Sequence, residues 1–423
     1  MENNEYYMTQ LKIRKVRHLQ DITIPLTSTD EPVMKHLIIT GKNGSGKTSL
    51  LNAISAYLND TCGQEKYRNA KKSLMQDQEN LQNQINWNQS VDKIEDTKKR
   101  IDHWQERIEK NDSGIDAEFN IDIAELNAAF KQNQFILAFF SAERVMNADI
   151  PKHVEKIALK ENYTIFEDPG KDFIKYLVDK QVSQSLYQTK GDTEKADQIA
   201  NWFNSFEKLL RDIYEDPSLS LDFDVDTFSF HILEEDREPF DFNTMSAGYA
   251  AVLNIVVNIL MRMERQAKGQ FVFDRPGIVM IDELETHLHY ELQKKILPLL
   301  CNIFPHIQFI VSTHSAFILN IITDAEIYDL ETRTLVQEGL SEYPYEGIIE
   351  GYFEVSTLSD ELKQKFERYR TLVSKEKLEP AERIEIEKLS IYLDEIPDYL
   401  ALDITTEYQR LKLEYEHRRR ADG

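Results

Sequence analysis

Cysteine is nearly absent. Cys62 and Cys301 are the only two in 423 residues and stand far apart in sequence. They read as reduced core residues rather than a bridge. No run of about 18 apolar residues occurs, so no membrane-spanning helix is expected. The N-terminal MENNEYYMTQ lacks the apolar core of a signal peptide, and a cytoplasmic protein is expected. Basic residues are outnumbered, 50 Lys and Arg against 74 Asp and Glu, for a formal net charge of -24. Such a surface is not drawn as a whole onto nucleic acid, although a local basic groove stays open. An acidic chain also suits a basic protein partner.

Glycine and proline disappear between residues 64 and 110, where Gln, Asn, Lys, Glu and Asp dominate. Ile94, Ile101 and Ile108 recur at seven, and so do Leu74 and Leu81, which predicts a short coiled-coil-like helical hairpin turning within NQINWNQS. Around it the chain reads as α/β. Residues 7–26 predict two edge-type strands, HLIIT a buried strand, and FILAFFS another. Residues 150–215 read as mostly helical, and 218–235 as paired strands. Residues 245–266 predict a long apolar helix. GIVMID and IQFIVST predict buried strands of a parallel sheet, with one helix over 286–301 between them. Residues 340–420 look helical, charged and separable.

Glycine is scarce at 14 residues, yet three fall in GKNGSGKTSL, right after the HLIIT strand. Gly41 to Thr48 fits G-x-x-x-x-G-K-[ST] between a strand and a helix, the context that makes it a phosphate-binding P-loop. The glycines let backbone N–H groups turn inward around phosphates, and the helix start adds positive potential. Gly41, Asn43, Gly44, Ser45, Gly46, Lys47, Thr48 and Ser49 are the expected ATP contacts. Lys47 is expected to reach the β- and γ-phosphates, and the Thr48 hydroxyl to hold Mg²⁺. In such a protein an acidic residue ending a later apolar strand faces the same ion; Asp282 is that residue. Glu283 is then placed to polarise the attacking water. His287 and His289 offer a rival zinc reading, but H-x-H supplies no obvious third ligand. His314 follows IQFIVST and is expected to approach the γ-phosphate at the sheet's carboxyl edge. Ser246 and Gly248 open a long helix, which read alone is either an ordinary N-cap or a second anion site.

Taken together, these motifs resemble the ABC-type ATPases, in the branch containing the SMC, RecF and OLD-like proteins. IDELETHLH is similar to that branch's IDEPExHLHP, and VSTHSAFIL to its xxTHSPxxL. The resemblance covers roughly residues 6–60 and 240–335. It implies a head-to-tail ATP sandwich in which each P-loop faces the Ser246–Gly248 signature of a second copy. KVRHL is similar to the branch's N-terminal arginine motif, which implies that Arg17 touches nucleotide. SAER (141–144) lies where a glutamine-bearing Q-loop is usual and has no glutamine. Leu284 and Tyr290 stand where the pattern has prolines, and Tyr249 where many relatives carry Gln or Glu. Both catalytic carboxylates remain, so hydrolysis is expected.

The expected organisation is an α/β ABC-type head over residues 1–63 and 113–339, a helical hairpin insertion over 64–112, and a helical C-terminal region over 340–423. The arms are too short for an SMC tether, and the tail shows no Toprim pattern. The chain therefore resembles the stand-alone ATPase subunits of anti-phage systems of the PARIS and Septu kind. That implies a separate nuclease or toxin effector, a phage-encoded trigger, and self-association to a dimer or higher oligomer. A RecF-like DNA repair clamp is the alternative; a transporter ATPase is disfavoured by the missing glutamine.

Overall fold

The computed structural model describes residues 6–27, 33–144, 146–151, 153–235, 237–267, 270–271, 273–320, 324–336, 340, 360–375, 378–394 and 402–421. Contacts divide the chain into Met1–Glu342 and Tyr343–Gly423. The expected boundary at 339/340 adjoins residues 337–339 and 341–359, which lie outside the described residues.

The first unit opens with Met8–Val16 (β1) and Leu19–Pro25 (β2), paired antiparallel from Gln10–Pro25 to Val16–Leu19. Residues 7–26 were expected at an edge. β1 is instead the middle strand, because Ile115–Phe119 (β4) pairs on its other side. His36–Thr40 (β3) is buried throughout and leads into Lys47–Asn59 (α1). Lys66–Asn86 (α2) and Val91–Asn111 (α3) run as an exposed pair. The Trp104 indole and the Arg100 guanidinium, both on α3, donate to Asp77 on α2. Ile123–Lys131 (α4) then leads to Ile136–Phe140 (β5).

Residues 153–168 are not helical, contrary to expectation; α-helix begins with Phe173–Lys190 (α5) and Thr193–Tyr214 (α6). The irregular backbone has a donor of its own. The Arg262 guanidinium, buried in Ala247–Ala267 (α7), donates to the carbonyls of Leu137, Thr164 and Glu167. Free carbonyls that would otherwise need a helix are thereby satisfied. Ser220–Asp224 (β6) and Ser229–Leu233 (β7) form a separate ribbon. Within α7, Ala247–Arg265 is long and apolar enough to cross a membrane, but 83% of that stretch is buried inside the protein.

Gly277–Ile281 (β8) and Ile307–Ser312 (β9) are buried at every position, the continuous apolar pattern of a parallel sheet covered on both faces. The single helix expected between them is two short ones, Tyr290–Gln293 (α8) and Ile296–Ile303 (α9). Pro298 accounts for the break: it lacks an N–H and fits only a helix's first turn, so a new helix starts at Ile296. Ala316–Leu319 (α10), Ala325–Asp329 (β10) and Thr334–Val336 (β11) follow.

The main sheet has the order β11-β10-β3-β9-β8-β5, parallel except for β11. Leu50, Leu51, Ile54 and Leu58 of α1 are buried in one core with residues of β1, β4, β3, β8 and β9. α1 is therefore clamped between the two sheets, each such side chain contributing roughly 2 kcal/mol. The order matters for chemistry. The loops after β3, β9, β8 and β5 all leave at one carboxyl edge, with β9 between β3 and β8.

The second unit holds three helices, Asp360–Val373, Pro380–Asp394 and Leu402–Ala421. They share a core of Tyr369, Leu372, Ile386, Leu393 and Tyr408.

Candidate functional site

Thr40 ends β3, and the chain then folds over the start of α1. Gly41, Gly44 and Gly46 take φ of +132°, +85° and +102°, where a side chain is strained. At Gly41 a Cβ would also stand 2.8 Å from Ser45 Oγ. Gly46 caps α1, whose first turn has neither a side-chain cap nor an acidic residue, so its N–H groups stay open to an anion. Asn43 and Thr48 are exposed and Ser49 is half-buried. The turn between β1 and β2 rests on this loop through His18, whose Nε2–H donates to Ser45 O at 2.9 Å. Arg17 lies exposed in the same turn at φ +52°.

Lys47 is buried, and its ammonium donates to Gly41 O at 2.7 Å and Lys42 O at 3.2 Å. Burial holds its pKa below the usual lysine range, while Glu285, Glu283 and Asp282 pull the other way. His314 Nδ1 stands 3.5 Å from Lys47 Nζ. Burial, then the Lys47 charge, hold His314 below the usual histidine range, so it is neutral at pH 7.

The acidic turn follows β8. Asp282 is buried, and its Oδ1 accepts from Ser312 Oγ at 2.6 Å. The same Ser312 oxygen accepts from the Glu283 N–H at 2.8 Å. Glu283 turns the chain at φ +46°, a region non-glycine residues seldom occupy. Its Oε2 accepts from Thr286 Oγ1 at 3.3 Å. Glu285 reaches across to the next loop, its Oε1 accepting from the His314 N–H at 2.5 Å. Beneath the turn lies the Arg144 guanidinium, donating to the carbonyls of Asp282 at 2.5 Å and Glu283 at 2.8 Å. Burial pushes its pKa down to about 10, against the pull of Glu285, Asp282 and Glu283.

Among the described residues, four buried polar atoms at this edge have no hydrogen-bond partner: Thr40 Oγ1, Ser45 Oγ, Arg144 Nε and Glu285 Oε2. Buried polar atoms are ordinarily paired, so four together at one edge call for an explanation.

Ser246 and Gly248 sit elsewhere. Ser246 O accepts from Ala250 N at 2.9 Å as α7 begins, and the Ser246 side chain is exposed. With Tyr249, His287, His289 and Lys295 they line a cavity of about 300 Å³ to which no residue of 41–49 contributes. A Cβ on Gly248 would stand 3.2 Å from His287 O, so the helix start packs closely on the stretch following the acidic turn. Tyr249 stacks on Tyr214, with ring centroids 4.0 Å apart. Among the described residues, no group of three or more His, Cys, Asp or Glu is placed to hold a metal.

Residues 83–320, more than half of the chain, match the family described as "AAA domain, putative AbiEii toxin, Type IV TA system". The chain belongs to this AAA-domain family. The Septu protein PtuA of Bacillus mycoides (strain KBAB4) is 29% identical over 174 residues, 39% of this chain and 24% of that one. The retron Ec83 probable ATPase of Escherichia coli is 28% identical over 151 residues, 34% of this chain and 28% of that one. The alignments thus span only about a quarter of the length of these curated relatives. A crystal structure of an SMC head bound to the C-winged helix domain of ScpA superposes at a TM-score of 0.36, with 13% identity, over 76% of this chain and 94% of that one. That superposition is too loose to carry weight. As the Septu resemblance implied, this AAA-domain chain is related to Septu PtuA; it is related to retron ATPases as well.

Four residues of the AAA-domain site escaped the sequence reading. Ser312 stands in VSTHS, read only for its histidine. Glu285 stands in DELE, read only for its first two acids. His18 neighbours the arginine that drew attention. SAER was read for the glutamine it lacks, while its arginine is the residue that meets the acidic turn.

Proposed function

We propose that this AAA-domain chain binds ATP between two copies arranged head to tail, hydrolyses it, and uses the cycle to hold or release a separate effector protein in anti-phage defence. The observation that carries this reading is the division of the phosphate-binding elements. Lys47, Asp282, Glu283 and His314 converge at one sheet edge, whereas Ser246 and Gly248 open a different cavity. Two anion sites on one chain that do not meet are what a paired arrangement requires, each copy supplying one half of each site.

Within that pair Lys47 and the open N–H groups of α1 take the β- and γ-phosphates. Asp282 and the Thr48 hydroxyl together offer hard oxygen donors of the kind that suits Mg²⁺. A magnesium ion held there supplies neutralising charge to the phosphates. Glu283 polarises the water, and the neutral His314 faces the γ-phosphate from the next loop. The kinship with Septu and retron proteins supports the defence role, and the net charge of -24 weighs against a DNA clamp.

Purification of the tagged chain from its native genomic neighbourhood, with ATP and Mg²⁺, tests the effector role. A stoichiometric second protein identified by mass spectrometry is expected. Recovery of this chain alone, or with DNA that is lost at moderate salt, would overturn it.

A further inference from the structure

Arg144 comes from the loop after β5, the strand beside β8. Its planar fork meets three consecutive carbonyls of the acidic turn. Nη1 donates to Asp282 O at 2.5 Å, and Nη2 to Glu283 O at 2.8 Å and Leu284 O at 3.3 Å. Nη1 also donates to Ser141 O at 3.0 Å, which ties the arginine to its own loop. The guanidinium is buried, as is Asp282. Those carbonyls belong to the turn on which Glu283 holds its left-handed conformation.

The same loop has a second anchor. Ala148 N donates to Asn243 Oδ1 at 3.0 Å, and Asn243 Nδ2 donates back to Ala148 O at 3.0 Å. The Asn243 N–H is itself held by Asp241 Oδ1 at 2.8 Å. Asn243 stands three residues before Ser246. One loop therefore joins the turn that carries Glu283 to the turn that opens the Ser246 helix.

We propose that Arg144 and Asn243 are positioning residues at the two ends of one strut, which sets the Glu283 turn for hydrolysis from the start of the Ser246 helix. This rests on the ATPase reading above. Neither residue touches the reacting atoms; Arg144 fixes the backbone from which Glu283 projects, and Asn243 fixes the loop from which Arg144 projects.

The test is kcat for phosphate release, measured beside ATP affinity and melting temperature, for single variants and their combination. Arg144→Ala is expected to lower kcat about 100-fold, the effect of a misplaced group, with ATP affinity within about threefold. Arg144→Lys recovers less than about a tenth of the lost rate, because a single ammonium cannot fork to three carbonyls. Asn243→Ala, at an exposed position, lowers kcat about tenfold, as loss of a supporting hydrogen bond does. Adding Asn243→Ala to Arg144→Ala costs nothing further, since the strut is already cut. Wild-type kcat in Arg144→Ala would overturn the proposal. So would an affinity loss matching the kcat loss, full rescue by lysine, or losses that multiply in the double variant. Should Arg144→Ala fail to fold, Arg144→Lys and Asn243→Ala decide the matter by the same split. A wild-type chain that turns over no ATP would overturn the ATPase reading and this one with it.

Discussion

Glu283 projects from a backbone held on two sides, by Ser312 Oγ on its N–H and Arg144 on its carbonyl. A residue fixed in that way acts through its carboxylate alone, which sharpens the expectation for its amide. Glu283→Gln keeps ATP affinity and lowers hydrolysis at least about 100-fold, the usual share of a general base. Lys47→Ala loses nucleotide binding. Fluorescent-nucleotide titration and phosphate release check both, and wild-type turnover in Glu283→Gln would remove the carboxylate from its role. Lys47 is marked in the sequence by the glycine-rich motif that contains it, and Asp282, Glu283 and His314 by the apolar strands they follow. Ser312 and Arg144 could not. Their partners lie 30 and 138 residues away, and their roles exist only once β9 and β5 flank β8.

At the scale of elements, the buried parallel strands β3, β8 and β9 were legible as unbroken apolar runs. The surrounding breaks were not. Pro298 divides the expected helix before β9, and Arg262 supports the irregular 153–168 segment from within α7. An arginine inside an apolar helix gives no sign in sequence of which carbonyls it will meet. β3 also carries a pH liability at its first residue. His36 is buried, accepts from Phe309 N at 3.1 Å, and burial holds its pKa down at about 4, against the pull of Asp324 and with a small push from Lys35. Above the ordinary histidine value of 6.5 both folded and unfolded chains leave it neutral, and it contributes nothing. Between 6.5 and about 4 the unfolded chain takes a proton that the folded chain refuses, so stability falls with pH. Urea unfolding at pH 7 and pH 5 is expected to show a loss of roughly 2 kcal/mol that His36→Gln removes. An equal acid loss in His36→Gln would place the sensitivity elsewhere.

The molecule as a whole is acidic, carries an exposed helical pair, and has a separate C-terminal helical unit. Its family was legible because motifs of fixed order survive where overall identity is low. The pairing of copies is the claim on which the functional account turns, and complementation between two inactive chains tests it most directly. Lys47→Ala removes one chain's P-loop contact, and Ser246→Arg blocks the other chain's signature helix. Each is expected to be inactive alone. Mixed in equal amounts, they form hybrid pairs in which the intact P-loop of one faces the intact signature of the other. Phosphate release should return to about a quarter of the wild-type rate, since half the pairs are hybrid and each has one complete site. A mixture as inactive as its parents, or full activity of Ser246→Arg alone, would contradict a shared site.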